Sequence, residues 1–167
     1  MLVFDASTLI LIAKMEALDS FLVGMEFEVA IPLEVERECC AVKKSLDALM
    51  IQKELDESRI KVVVVKDKRL VSKLQGDFGL GKGEAESIAL ALAKKARIVG
   101  IDDKNGINAC KLLGIAFTTA IGILIRMREK ELLTVNEALA KLAALAKHGR
   151  YKQSILEDAK RKLEATA

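Results

Sequence analysis

The sequence predicts an α/β fold: a parallel β-sheet of about five strands with helices on both faces. Three observations point there. Short β-branched and aromatic runs alternate with longer segments of helical periodicity. Parallel neighbours need crossover connections, which are right-handed and carry helices to both faces of the sheet. Acidic residues recur where the apolar runs end, and in an open α/β sheet those positions converge on one crevice.

Each element can be justified in chain order. Residues 2–5 read as a short buried strand closed by Asp5. Ser7 and Thr8 can cap a helix whose apolar face is Leu9, Ile12, Ala13 and Leu18. Phe27 to Ile31 is a second strand, and Pro32 suits the first turn of the next helix. That helix is expected to run to about residue 57, with Val35, Cys39, Val42, Leu46, Leu49 and Leu55 in phase. Ile60 to Val65 is dense in β-branched residues and predicts a third strand buried on both faces. Asp67 to Gly83 reads as an irregular, mobile loop because Gly76, Gly79, Gly81 and Gly83 crowd its end. Glu84 to Lys95 is a helix with Ile88, Ala89 and Leu92 inward, and Arg97 to Asp102 is a fourth strand. A helix over 105–113 ends at Gly114, and Ile115 to Thr118 is a fifth strand. Helices near 119–130, 134–147 and 151–165 complete the chain, giving one domain over 1–167 with a helical C-terminal extension from about 134.

Composition excludes several classes. With 51% hydrophobic and 31% charged residues, the chain is globular rather than disordered. No apolar run reaches the roughly 18 residues a membrane span needs, and Met1 to Phe4 carries no basic residue of a signal peptide. The net charge of +3 is too small to indicate nucleic acid alone, although Lys147, Arg150, Lys152, Lys160, Arg161 and Lys162 make the tail basic. Cys39, Cys40 and Cys110 fit no zinc spacing and read as reduced thiols of a cytoplasmic protein. His148 is the single histidine, so no Ser/His/Asp arrangement can be built. The glycines at 76–83 lack a GxxxxGK[ST] pattern, and with one tyrosine, Tyr151, and no tryptophan a base-stacking platform is not expected.

What is left is the acids. Asp5, Glu38, Glu84 and Asp102, with Asp103 beside the last, would repel one another strongly if they met in one crevice. A divalent cation among them removes that repulsion, so the chain reads as a metal-dependent enzyme. Glu86 competes with Glu84, and Asp103 with Asp102, for the same role.

Four elements in order resemble the PIN-domain nucleases, nearly end to end. They are Phe4-Asp5-Ala6-Ser7-Thr8-Leu9; Pro32, Val35 and Glu38 at three-residue steps; Gly83-Glu84-Ala85-Glu86-Ser87-Ile88-Ala89-Leu90-Ala91; and Ile101-Asp102-Asp103 followed by Asn108 and Lys111-Leu112-Leu113-Gly114-Ile115. The run Thr118-Thr119-Ala120-Ile121-Gly122-Ile123-Leu124 is similar to a stretch of a prokaryotic subgroup. In that subgroup an Arg often follows the acid pair; here the position is Ile107, and Asn108 comes next. The resemblance implies a three-layer α/β/α sandwich and a ribonuclease dependent on Mg²⁺ or Mn²⁺. Asp5 and Asp102 would be central ligands, completed by Glu38 and Glu84 directly or through water. Asp103 would serve a second metal or the outer layer. Ser7 or Thr8 would orient a carboxylate or hold a phosphate oxygen, and Asn108 would hold Asp102 or touch substrate. It also implies a VapC-like toxin with an RNA substrate, a small antitoxin partner and a homodimer built on apolar helical surface over 119–147. The alternative is a non-catalytic PIN-fold interaction module.

Overall fold

The structure is a computed structural model that describes residues 1–40 and 44–165. Five strands form one all-parallel sheet: β1 (Leu2–Phe4), β2 (Val29–Pro32), β3 (Ile60–Val63), β4 (Ile98–Gly100) and β5 (Phe117–Thr118). Their order across the sheet is β3-β2-β1-β4-β5. The chain builds outward from β1 through β2 to β3, then returns to the other side of β1 for β4 and β5. The order therefore reverses between β1 and β4, and a crevice opens beyond their carboxyl ends.

Alternation along the strands sorts the core into two layers. Leu2, Phe4, Val29 and Ile31 face one side. There they meet α1 (Ala6–Lys14), α2 (Leu18–Val23), α3 (Leu33–Cys40), α4 (Leu46–Asp56), α8 (Ala120–Glu129), α9 (Val135–His148) and α10 (Gln153–Ala165). Val3, Ala30 and Val99 face the other, against α5 (Lys68–Phe78), α6 (Lys82–Lys94) and α7 (Lys104–Leu112). The result is the α/β/α sandwich that the alternation predicts.

The structure departs from the sequence-based expectation at several elements, each with a local cause. Asp5, not Ser7 or Thr8, caps α1, because its extended backbone leaves a carboxylate oxygen under the Thr8 amide. Leu18 begins a separate helix, α2, after Glu16 takes a positive φ. Pro32 closes β2 opposite Val63, and the helix begins one residue later. The long helix expected to residue 57 is two, α3 and α4; Val42 lies outside the described residues, and Leu46 and Leu49 are exposed. β3 is an edge strand with Lys61 and Val62 exposed, since β-branched content reports extended backbone and not how many neighbours a strand has.

The largest correction is α5, which occupies most of the expected loop. Val71 and Leu74 carry its buried stripe, Asp67 caps its first turn at the Leu70 amide, and Gly79 ends it with φ +64°. A Cβ at Gly76 would meet nothing, so this glycine costs the helix only its intrinsic propensity. The glycine-rich connection shrinks to residues 79–81. In α6, Ile88 and Ala89 are buried as expected, whereas Leu92 is partly exposed.

Candidate metal centre

Asp5 follows β1 and Asp102 follows β4 by two residues, so both stand at the reversal of strand order. One residue ties them together. The Thr8 amide donates to Asp5 Oδ1 at 2.9 Å, and the Thr8 hydroxyl donates to Asp102 Oδ2 at 2.9 Å. Thr8 is fully buried, so the two acids are joined by a donor with no competing water. Ser7, exposed beside it, donates its hydroxyl to Asp5 Oδ2 at 2.6 Å. The two hydroxyls after the strand acid thus each hold a carboxylate.

Asp5 is 1% exposed. Burial pushes its carboxyl up to about 7, against the opposing hydrogen bonds from Ser7 and Thr8, and the nearby Asp102 adds to the rise. Asp102 is half-buried and held at both oxygens. Besides Thr8, its Oδ2 accepts the Ala120 amide at 2.8 Å, and its Oδ1 accepts the Tyr151 hydroxyl at 2.6 Å. Burial first, and the Asp102 charge second, push that phenol far above its ordinary range, so it is a donor. The amide at 120 opens α8, so its N–H is one of the orphans at a helix start.

A second set of acids gathers around the first turns of α6 and α7. Glu84, in the first turn of α6, curls back to accept the Gly81 amide at 2.9 Å. Burial first, then Asp103 and Glu38, raise its carboxyl above the usual range. Glu38, exposed on α3, lies against the same turn: a Cβ at Gly83 would come within 2.6–2.9 Å of its carboxylate. Asp103 caps α7, accepting the Asn105 amide at 2.7 Å and the Gly106 amide at 3.2 Å. Of the adjacent pair, then, Asp103 is the cap, and Asp102 joins Asp5.

Two neighbours are separated from these acids. Glu86 is buried and pairs with Lys68 of α5 at 2.9 Å. It lies two residues from Glu84, about 200° around the helix. Asn108 is exposed on α7, with no hydrogen bond to Asp102. His148 is exposed in the last turn of α9. Ser87, which fell within a motif but had no assigned role, fixes α6 to the site: its hydroxyl donates to the Phe4 carbonyl at 3.1 Å and the Gly83 carbonyl at 2.9 Å. Tyr151 was missed as a site residue, since nothing near it in sequence signals a bond 49 residues back.

The acids therefore form two groups, Asp5 with Asp102, and Glu38 with Glu84 and Asp103. Among the described residues, no three His, Cys, Asp or Glu side chains stand together as a group that could hold an ion. The donor chemistry nonetheless suits a hard cation, being carboxylate oxygen without imidazole or thiolate. The Ser7 hydroxyl and Thr8 amide also leave acceptor positions on both oxygens of the buried Asp5.

A family model, DUF3368, described as a PIN domain, matches residues 1–165. No curated protein matches the chain. The match covers the strand-end acids, their helix-borne neighbours and the C-terminal helices alike, and the chain belongs to the PIN-domain family, whose members are generally nucleases.

Proposed function

We propose that the chain is a metal-dependent ribonuclease that hydrolyses RNA phosphodiester bonds with Mg²⁺ or Mn²⁺. One observation carries the metal reading: Asp5, 1% exposed, stands one threonine away from Asp102 at the crevice of the sheet. A buried carboxylate beside a second acid is costly to ionise unless a cation joins it, and PIN nucleases generally use divalent metals. Asp5 and Asp102 would hold the ion, with Glu38, Glu84 and Asp103 contributing through water or a second ion. The metal would supply an activated water and neutralise charge building on the phosphodiester. The chain's own residues orient the acids: Ser7 and Thr8 from α1, and the amide at 120 from α8. Exposed Lys147, Arg150 and Lys152 lie near the Tyr151 that touches Asp102, and would take backbone phosphates without reading sequence.

The finer assignments rest on the family resemblance: a toxin role, a small antitoxin partner, and a homodimer built on apolar helical surface over 119–147. Most apolar side chains of α8 and α9, among them Ile121, Ile123, Leu124, Leu142 and Leu145, are spent in the chain's own core, which leaves Leu132 as an exposed apolar residue of that stretch. No helix among the described residues is long and apolar enough to cross a membrane. The three cysteines form no disulfide, which suits a reducing compartment such as the cytoplasm.

The separation of the acids into two groups favours a second reading, a non-catalytic PIN-fold interaction module. Calorimetric titration with Mg²⁺ and Mn²⁺, beside a cleavage assay on single-stranded and structured RNA, separates the two. The nuclease reading expects millimolar or tighter metal binding and cleavage that EDTA stops. A protein that binds neither ion at millimolar concentration is the interaction module.

A further inference from the structure

We infer that Tyr151 is a positioning residue that fixes the carboxylate of Asp102 for the metal, so that the C-terminal helices complete the site. This rests on the metal reading proposed above.

The geometry is specific to Asp102. Its carboxylate takes bonds from three separate segments: the Thr8 hydroxyl of α1, the Ala120 amide opening α8, and the Tyr151 phenol at the turn between α9 and α10. The first two converge on Oδ2. Tyr151 is the donor on Oδ1, and its 2.6 Å bond fixes the rotation of the carboxylate about its last torsion. An acceptor position on Oδ1 remains for a cation. The partly buried ring packs against the larger core, which holds the phenol in place. Gly149 makes room for that ring. A Cβ there would run into the Tyr151 ring and come within 3.1 Å of the Leu145 carbonyl at the end of α9. The turn thus combines a glycine that admits the ring with a phenol that reaches the acid.

Hydrogen-bond partners that orient a metal ligand contribute to metal affinity without touching the metal. Tyr151→Phe keeps the ring and its packing and deletes only the donor. Gly149→Ala keeps the donor and displaces it. In both variants Mg²⁺ affinity, measured by calorimetry, should fall about tenfold. For Tyr151→Phe, which leaves the turn in place, affinity for RNA in the presence of EDTA should stay unchanged, and raised Mg²⁺ should restore cleavage. Tyr151 is the single tyrosine of a tryptophan-free chain, so intrinsic emission reports this one contact. Emission should shift when Mg²⁺ is added to wild type, and should differ between wild type and Asp102→Asn without metal. A Tyr151→Phe protein that binds Mg²⁺ as tightly as wild type, or more tightly, overturns the inference for Tyr151. A wild-type protein that binds no Mg²⁺ overturns the metal reading of the whole site.

Discussion

Asp5 with Asp102, and Glu38 with Glu84 and Asp103, are held in different ways. The first pair follows two strands at the reversal of the sheet, sits wholly or half out of water, and is tied by Thr8 and, at Asp102, by donors from α8 and the α9–α10 turn. In the second set, Glu84 and Asp103 lie at the starts of α6 and α7, where free amides and the helix dipole favour negative charge, and Glu38, late in α3, lies against the first turn of α6. Both carboxylates of the first kind have spare acceptor positions, and Asp5 is strained by burial as well. Two of the second kind, Glu84 and Asp103, already serve as caps. The same residue type in one crevice thus has two physical roles, and substitution should tell them apart.

The comparison is broken most directly by comparing rates. Asp5→Asn should lower cleavage by more than about 100-fold at fixed Mn²⁺, because even the outer partners of a metal ligand cost about 10–100-fold. Glu38→Gln should fall within that smaller range. Cleavage rates for both variants and wild type, each with a cooperative melting curve, make the check. If Glu38→Gln is as damaging as Asp5→Asn, the two groups act as one.

The next largest effect is on stability in the absence of metal. Asp5 has its carboxyl raised to about 7 by burial, and the unfolded chain would titrate near 3.9. The folded state therefore holds more protons between those values, so this contribution is complete below about pH 4 and is lost as pH rises through about 7. Glu84 is raised too, by burial and then by Asp103 and Glu38, and acts in the same direction. Asn in place of Asp5 resembles the protonated acid at every pH. In EDTA, Asp5→Asn should therefore match wild type near pH 4 and exceed it at pH 8, by on the order of a few kcal/mol. Denaturant melts of both proteins across that range check it, and a flat difference would show that Asp5 is not stored as a strained acid.

How much of this was legible in the sequence follows from the same contrast. Asp5 and Asp102 could be picked out because a short apolar run that meets an acid is a strand-end signal, and strand ends in α/β sheets share a crevice. Sheet class was legible because alternation forces crossovers. The edge position of β3 was not, since Ile60 to Val65 reads alike in the middle or at the margin of a sheet. The helix α5 was hidden by glycines, although Leu70, Val71, Leu74 and Phe78 carry a helical period. Thr8 as the bridge was open as a cap or an orienting group, and only the packing of β4 beside β1 gave it Asp102 as a partner. Tyr151 left no local trace, because its bond depends on where the last two helices fold back.

The smallest expected effect on chemistry comes from Glu86, and it sharpens the boundary of the site. Glu84 and Glu86 are alike in sequence, but Glu86 turns away from the crevice and meets Lys68 at 2.9 Å. That carboxylate is only 4% exposed at its side chain, whereas the lysine is 63% exposed. Lys68→Met would leave a buried charge without its cation, at a cost of about 1–3 kcal/mol, below the cost of a fully buried pair because water reaches the lysine side. Glu86→Gln removes the charge itself and should cost less. In both variants Mg²⁺ affinity and cleavage rate should match wild type. Denaturant midpoints measure the first effect and calorimetry the second. A loss of metal affinity in Glu86→Gln without loss of stability would move Glu86 into the site and dissolve the division between the strand-end acids and their helix-borne neighbours.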